Sequence, residues 1–432
     1  MNAEVRSLKT PAEQVLAEVF AAAKARLPGL ADMRADAFAQ FDRQGLPHRR
    51  VEEWKYTDLR ALWREARPLA SPPDTKAKDK AKSVAEQFKG IDCRRLTFVD
   101  GVLVPELSDL SAETGLTIGS MADALAKGDA LVTKHVGKIN ATRDPAVALN
   151  TALMGDGAVI RVTAGVTPQR PILLVFAGTQ PASVFTRSLI VVEKGARLFL
   201  IEAHESGETQ TNTALELVVA DGATFDHLKV TRAQGLHLSS LMAEVGAKAK
   251  FNSFAFTTGS PLVRNQSFIR FAGDGTDAAI GGISLLKGRE HVDNTLVINH
   301  AAHGGSSRER FRAVLDGEAR AVFQGKIIVE PDAQKTDAKM MSQALLLSEQ
   351  AEFDSKPELE IFADDVQCGH GATAGALDED LLFYLRARGI PEKEAEALLI
   401  QAFVGEVVDT IAQESVREPL MVAAVKWLEA RG

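Results

Sequence analysis

Leu215-Glu216-Leu217-Val218-Val219-Ala220-Asp221-Gly222-Ala223 is a run of β-formers closed by a glycine corner, and its pattern recurs along the chain. Variants of the corner stand at Asp156-Gly157-Ala158, Lys194-Gly195-Ala196, Val245-Gly246-Ala247, Asp274-Gly275-Thr276 and Asp316-Gly317-Glu318-Ala319. Counting Gly222 among them, the glycines fall 38, 27, 24, 29 and 42 residues apart. Runs such as Val159-Ile160-Arg161-Val162, Ser188-Leu189-Ile190-Val191-Val192 and Lys326-Ile327-Ile328-Val329 recur along the same region, with no long amphipathic helix separating them. Loose repetition on this scale predicts a solenoid in which each coil stacks on the last. Behind each corner, alternate residues would point into and out of the coil. A β-sandwich also suits glycine-bounded strands. The solenoid is preferred because one corner motif repeats, whereas sandwich turns are diverse. The expected fold is therefore mainly β, with a solenoid core over 146–372.

Helical texture flanks that core. Thr10-Pro11-Ala12-Glu13 joins an N-cap, a proline at the first helical position and a capping-box glutamate, and Val15, Leu16, Val19, Phe20 and Ala23 follow at helical spacing. His48 to Arg60 is charged around Trp54 and Tyr56; it reads as a helix packing two rings inward or as a partner surface. Ser71-Pro72-Pro73 and the lysine-rich stretch to Lys82 read as a solvated linker, inside an N-terminal domain of 1–145. A strand Leu96-Thr97-Phe98-Val99 ends at the turn pair Asp100-Gly101. A C-terminal helical domain of 373–432 opens with Asp378 as N-cap, Leu381, Leu382 and Leu385 inward, and Gly389 as a stop. Pro391 opens a second helix with Ala395, Leu398, Leu399, Ala402 and Phe403 on one face, and a third follows Pro419.

Composition narrows the function classes. The 432 residues carry a formal net charge of -8, which argues against a nucleic-acid surface spread over the chain. Two cysteines, Cys93 and Cys368, make no disulfide framework and fit a reducing cytoplasm. Met1-Asn2-Ala3-Glu4-Val5-Arg6 lacks an apolar leader, and the run Ile172 to Ala177 is far below the roughly 20 residues that span a bilayer. A cytoplasmic protein without membrane contact is expected. No phosphate-cradling Gly-x-x-x-x-Gly-Lys-Ser/Thr loop, dinucleotide fingerprint, nucleophile elbow or His-Glu-x-x-His helix is present, so no nucleotide is expected on this chain.

The densest chemistry is Asp364-Asp365-Val366-Gln367-Cys368-Gly369-His370-Gly371-Ala372-Thr373. A thiolate and an imidazole in one segment can hold iron or a sulfur-containing cluster, and the glycines let the backbone turn to present them. Two ligands do not close a four-coordinate site, so others must come from elsewhere. The plain alternative is a packed cysteine beside a histidine satisfied by backbone. In His291-Val292-Asp293, residues 291 and 293 share a strand face, while the nine-residue step puts His300 on the opposite face. A metal site or isolated structural histidines both remain open there. His204, His227 and His237 have no partner at ligand spacing.

Several blocks carry a family resemblance. They are Val51-Glu52-Glu53-Trp54-Lys55-Tyr56-Thr57, His291-Val292-Asp293-Asn294-Thr295 with His300, Val322 to Ile327, and Ala333-Gln334-Lys335-Thr336-Asp337-Ala338. The longest runs from Lys356-Pro357-Glu358 to Thr373, followed by Phe383-Tyr384-Leu385-Arg386-Ala387-Arg388-Gly389-Ile390. With these the chain resembles the SufB/SufD family of the Suf iron–sulfur cluster assembly system. The Glu-Glu-Trp-Lys-Tyr-Thr motif, the modest length and a β region from Ala158 to Val366 without cysteine indicate the SufD side of it. Two departures stand out: Gly305 occupies a segment where relatives often carry a cysteine, and Arg312 replaces a common lysine.

The resemblance implies a non-catalytic scaffold with a right-handed parallel β-helix between helical terminal domains. It implies pairing with SufB through the β-helix, docking of the ATPase SufC on the C-terminal helical domain, and a transient iron–sulfur cluster at the SufB interface. By the same resemblance His370 is the interfacial ligand and Cys368 its neighbour, and Phe383, Tyr384, Arg386 and Arg388 offer the SufC-docking surface. The isolated chain could also form a homodimer. Competing classes are a polysaccharide-active β-helix enzyme, which would need clustered carboxylates such as Asp364-Asp365 in one groove, and a homodimeric metal-binding protein.

Overall fold

The computed structural model describes residues 9–431, so the residues read above for a leader lie outside it. From Ala158 onward the chain winds as a parallel β-solenoid of about seven turns. Odd and even strands separate into two sheets. Sheet A ends in Glu352–Ile361 and sheet B in Gln367–Gly375. Every solenoid pairing is parallel and in continuous register, as in Leu217 beside Ala243 and Phe225 beside Phe251. A sandwich of hairpins is thereby excluded.

Alternation does the sorting. Leu215, Leu217 and Val219 point inward and stack on Leu241, Ala243 and Val245 of the next coil, all in one buried core. Each such leucine or valine contributes about 1.5–3 kcal/mol when fully buried. The corners explain the repeat. Gly195, Gly222 and Gly275 adopt φ of +66°, +66° and +68°, a region costly for side chains with a Cβ. The residues behind them, Ala196, Ala223 and Thr276, are buried where the sheets meet; at Val245-Gly246-Ala247 the left-handed residue is instead Lys248, and Ala249 behind it is buried.

One detail differs from expectation. Gly275 and Gly317 lie on opposite corners, since 274–276 leads into sheet B and 316–319 into sheet A. That accounts for the irregular 42-residue interval; successive strands of sheet A begin 26 to 32 residues apart from Ser183 onward.

Helices cover the outer faces. Leu16, Phe20, Phe41, Trp54 and Trp63 of the N-terminal region pack on Phe185, Leu236 and Leu262 of sheet A. Ile400, Val404, Val407, Leu420 and Trp427 of the C-terminal helices cover Phe254, Phe256, Ile283 and Val314 of sheet B. The Thr10 capping box forms as expected. The supposed linker instead holds a helix, Thr75–Ala81, capped by Asp74, with Ala77 and Ala81 buried against sheet B. Two alanines suffice there because the helix lies close to the sheet.

The C-terminal stripe is also displaced. In Glu392–Val408 the buried residues are Ala395, Ile400, Val404, Val407 and Val408, whereas Leu398 is exposed. Leu381, expected inward, is exposed, and Glu379–Ala387 buries no residue at all.

The solenoid's two ends are unlike. At the N-terminal end both sheets finish in short antiparallel strands, Val102–Leu103 and Leu116–Ser120, wrapped by helices. At the other end, Glu352–Ile361 and Gln367–Gly375 each have a strand on one side only.

Candidate functional site

The open end carries the sequence-predicted residues. Cys368 and His370 lie two apart in the edge strand Gln367–Gly375, so they share the face that continues the solenoid interior. Their register partners in the preceding strand are Ala338 and Met340, which are buried. His370 is exposed and Cys368 half-buried, its thiol pushed up mainly by burial. The glycines beside them do not turn the chain as expected. Both lie within the strand, and the missing Cβ of Gly371 leaves room for Met341, whose Cε would stand 2.8 Å away. Ile361, Phe362 and Met341 are exposed apolar groups on the same end; Phe362 is 63% exposed. Edge strands and apolar surface together form a surface suited to another chain.

Behind the rim the interior turns polar. Glu309 lies in the lane of Met340 and His370, one strand further in. It is fully buried, and neither carboxylate oxygen has a hydrogen-bond partner among the described residues. Burial pushes its carboxyl up to about 7, opposed in smaller measure by the Ser307 hydroxyl, its own amide and Arg308. Ser307 contacts His300 Nε2 at 3.0 Å, and burial holds that imidazole down near 4.

The other expected sites resolve differently. Thr57 Oγ1 stands 3.0 Å from His291 Nε2 and donates to Asp293 at 2.5 Å, and Asp293 also pairs with the buried Arg264. Arg264 lies 3.7 Å over the Trp54 ring and donates to the Glu53 carbonyl. The Glu-Glu-Trp-Lys-Tyr-Thr stretch is thus a clip on the outer face of sheet A. Asp364 and Asp365 are both exposed at the bend between the last two strands, where Asp365 pairs with Lys335. Among the described residues, no group of three or more His, Cys, Asp or Glu side chains is assembled to hold a metal ion.

Sequence reasoning missed one cluster. His227 Nε2 is 3.1 Å from Glu202, His204 3.8 Å from the same carboxylate, and the His204 and His237 rings are 5.0 Å apart. All are buried in the solenoid interior, where desolvation depresses His204 and, strongly, His237. The only signal available was inward parity on neighbouring coils, which becomes legible once the register is known.

On the C-terminal side, Phe383 is 72% and Tyr384 53% exposed. Arg388 lies 4.7 Å over the Tyr384 ring and Arg386 is 3.5 Å from Glu392.

Sequence comparison fits this arrangement. The profile of the SUF system FeS cluster assembly SufBD core domain matches residues 175–403, and that of the SufBD protein N-terminal region matches 16–174. The chain belongs to the SufBD family. An iron-sulfur cluster assembly SufBD family protein of Synechocystis is 30% identical over 86% of this chain and 85% of its own length. The iron-sulfur cluster assembly protein SufD of Escherichia coli is 29% identical over 88% and 89%, respectively. The protein of that name in Bacillus subtilis is 26% identical over 91% and 92%. The SufBD core match spans most of the solenoid together with the open end and the exposed helix Glu379–Ala387. Among the described residues no helix is long and apolar enough to cross a membrane.

Proposed function

We propose that this SufBD-family chain is the SufD-type scaffold of iron–sulfur cluster assembly. It performs no chemistry of its own and pairs through the open end of its solenoid with a SufB partner. The nascent cluster forms at that junction with His370 as a donor, and the SufC ATPase docks on Glu379–Ala387. The observation that carries this reading is the placement of His370 on an unpaired edge strand beside exposed Ile361 and Phe362. An imidazole there can donate to iron while the edge waits for a neighbouring strand. The exposed, weakly anchored helix with Phe383, Tyr384, Arg386 and Arg388 supports the second contact, since aromatic and arginine side chains dominate interface energetics.

The test is His370→Ala in the complex co-expressed with SufB and SufC and reconstituted anaerobically with iron and sulfide. The variant should copurify with both partners yet give a lower cluster yield by absorption spectroscopy. A full yield from the intact complex would remove His370 from the ligand set, and lost pairing would assign it to the interface alone.

A further inference from the structure

His370 and Cys368 supply two donors at the rim, and iron held at such a site takes more. Among the described residues the interior offers a buried carboxyl in the strand lane behind that rim, Glu309. Glu309 is fully buried, neither carboxylate oxygen has a partner at hydrogen-bond distance among the described residues, and the nearby Ser307 hydroxyl offsets only the smaller part of the several kcal/mol that a buried carboxylate costs. Its position is specific. Glu309, Met340 and His370 occupy consecutive places in one inward-facing lane, and Ser307, Ala338 and Cys368 form the adjacent lane.

The spacing permits a shared ion. Two strand separations of about 4.8 Å divide the Glu309 and His370 backbones. Each side chain reaches across several bonds of about 1.5 Å, and each metal–ligand bond adds roughly 2 Å. Met340 stands between them, but its sulfur leans across the coil into the space left by the missing Cβ of Gly325. An unbranched thioether also yields readily.

We propose that Glu309 is the inner donor for the cargo iron, closing from inside the solenoid a site whose rim is His370 with Cys368. This rests on reading the open end as the place of cluster formation. Among the described residues no three donors are preassembled around one point, so the set closes as the ion arrives. Coordination displaces the protons carried by the carboxyl and thiol into solvent, and the iron remains ferrous throughout.

The experiment is an anaerobic titration of the full chain with cobalt(II), whose visible bands report ligand number, using wild type, Glu309→Gln, His370→Ala and Cys368→Ala. Glutamine is isosteric, and circular dichroism confirms folding. Glu309→Gln should weaken cobalt binding about tenfold or more and change the visible bands. Wild-type affinity and bands in that variant would overturn the inference. Loss with His370→Ala but not Glu309→Gln refutes the inner donor and leaves the rim standing. Binding indifferent to both His370→Ala and Cys368→Ala refutes the open-end reading itself, and no binding by wild type refutes both.

Discussion

Replacing Glu309 by glutamine should stabilise the metal-free protein at alkaline pH and do little in acid. Burial raises the carboxyl from 4.5 to about 7. The folded state therefore holds this proton more tightly than the unfolded chain. Stability is complete below the unfolded value, falls as pH rises from about 4.5 to 7, and stays low above that. At 1.36 kcal/mol per tenfold step, the cost at pH 8 is about 3 kcal/mol. Glutamine keeps the shape without the charge and recovers most of that figure.

The readout is hydrogen exchange of the strand Ser306–Leu315, because solenoid coils open locally. At pH 8 the variant's opening constant should be about two orders of magnitude smaller than wild type's, and at pH 4.5 most of the difference should vanish. His291 and His300, both held near 4 by burial, destabilise the fold as pH falls below 6.5. The comparison is therefore variant against wild type at each pH. Equal protection at pH 8, or a gain that persists undiminished in acid, would refute the account of a buried, unpartnered carboxyl.

Asp293→Ala should destabilise the protein by about 3–5 kcal/mol in urea unfolding, since it strands the buried Arg264 guanidinium and the Thr57 hydroxyl. Gly325→Ala drives a Cβ into Met340 and Phe323 and should cost about 1–3 kcal/mol, with partial recovery on adding Met340→Ala. Phe383→Asp with Tyr384→Ser should leave the melting temperature unchanged and reduce SufC capture in a pull-down; undiminished capture would move the docking site elsewhere. Truncation after Thr373 is a poorer test, because it uncovers Phe254, Phe256 and Val314 on sheet B.

Much of the fold was legible because its signals are local. A glycine at positive φ and a buried alanine behind it mark corners such as Lys194-Gly195-Ala196 and Asp221-Gly222-Ala223, which could be read without knowing their neighbours, whereas at Val245-Gly246-Ala247 the left-handed residue is Lys248. Strand existence followed in the same way at Val159–Val162 and Leu215–Val219. What failed depended on partners distant in sequence. The helix Thr75–Ala81 packs through alanines that look too small to matter until the sheet is in place. The exposed Leu381 and Leu398 fooled helical periodicity, which detects apolar faces but not what covers them. At the site, the Cys368–His370 pair was visible as a motif, whereas Glu309 lies 59 residues before Cys368 and joins it only through inter-strand register.

The unlike ends of the solenoid constrain how such molecules assemble. A stack of parallel coils exposing edge strands at both ends would accept copies indefinitely and grow into a fibre. Here antiparallel strands and helices blunt one end, so only the face bearing Gln367–Gly375 can extend. Joining a similarly blunted solenoid there consumes both growing faces in a single event. Under the proposed pairing, edge-to-edge association would terminate at a pair, and Cys368 and His370 at the rim would be enclosed once, between two chains, rather than repeated along a polymer.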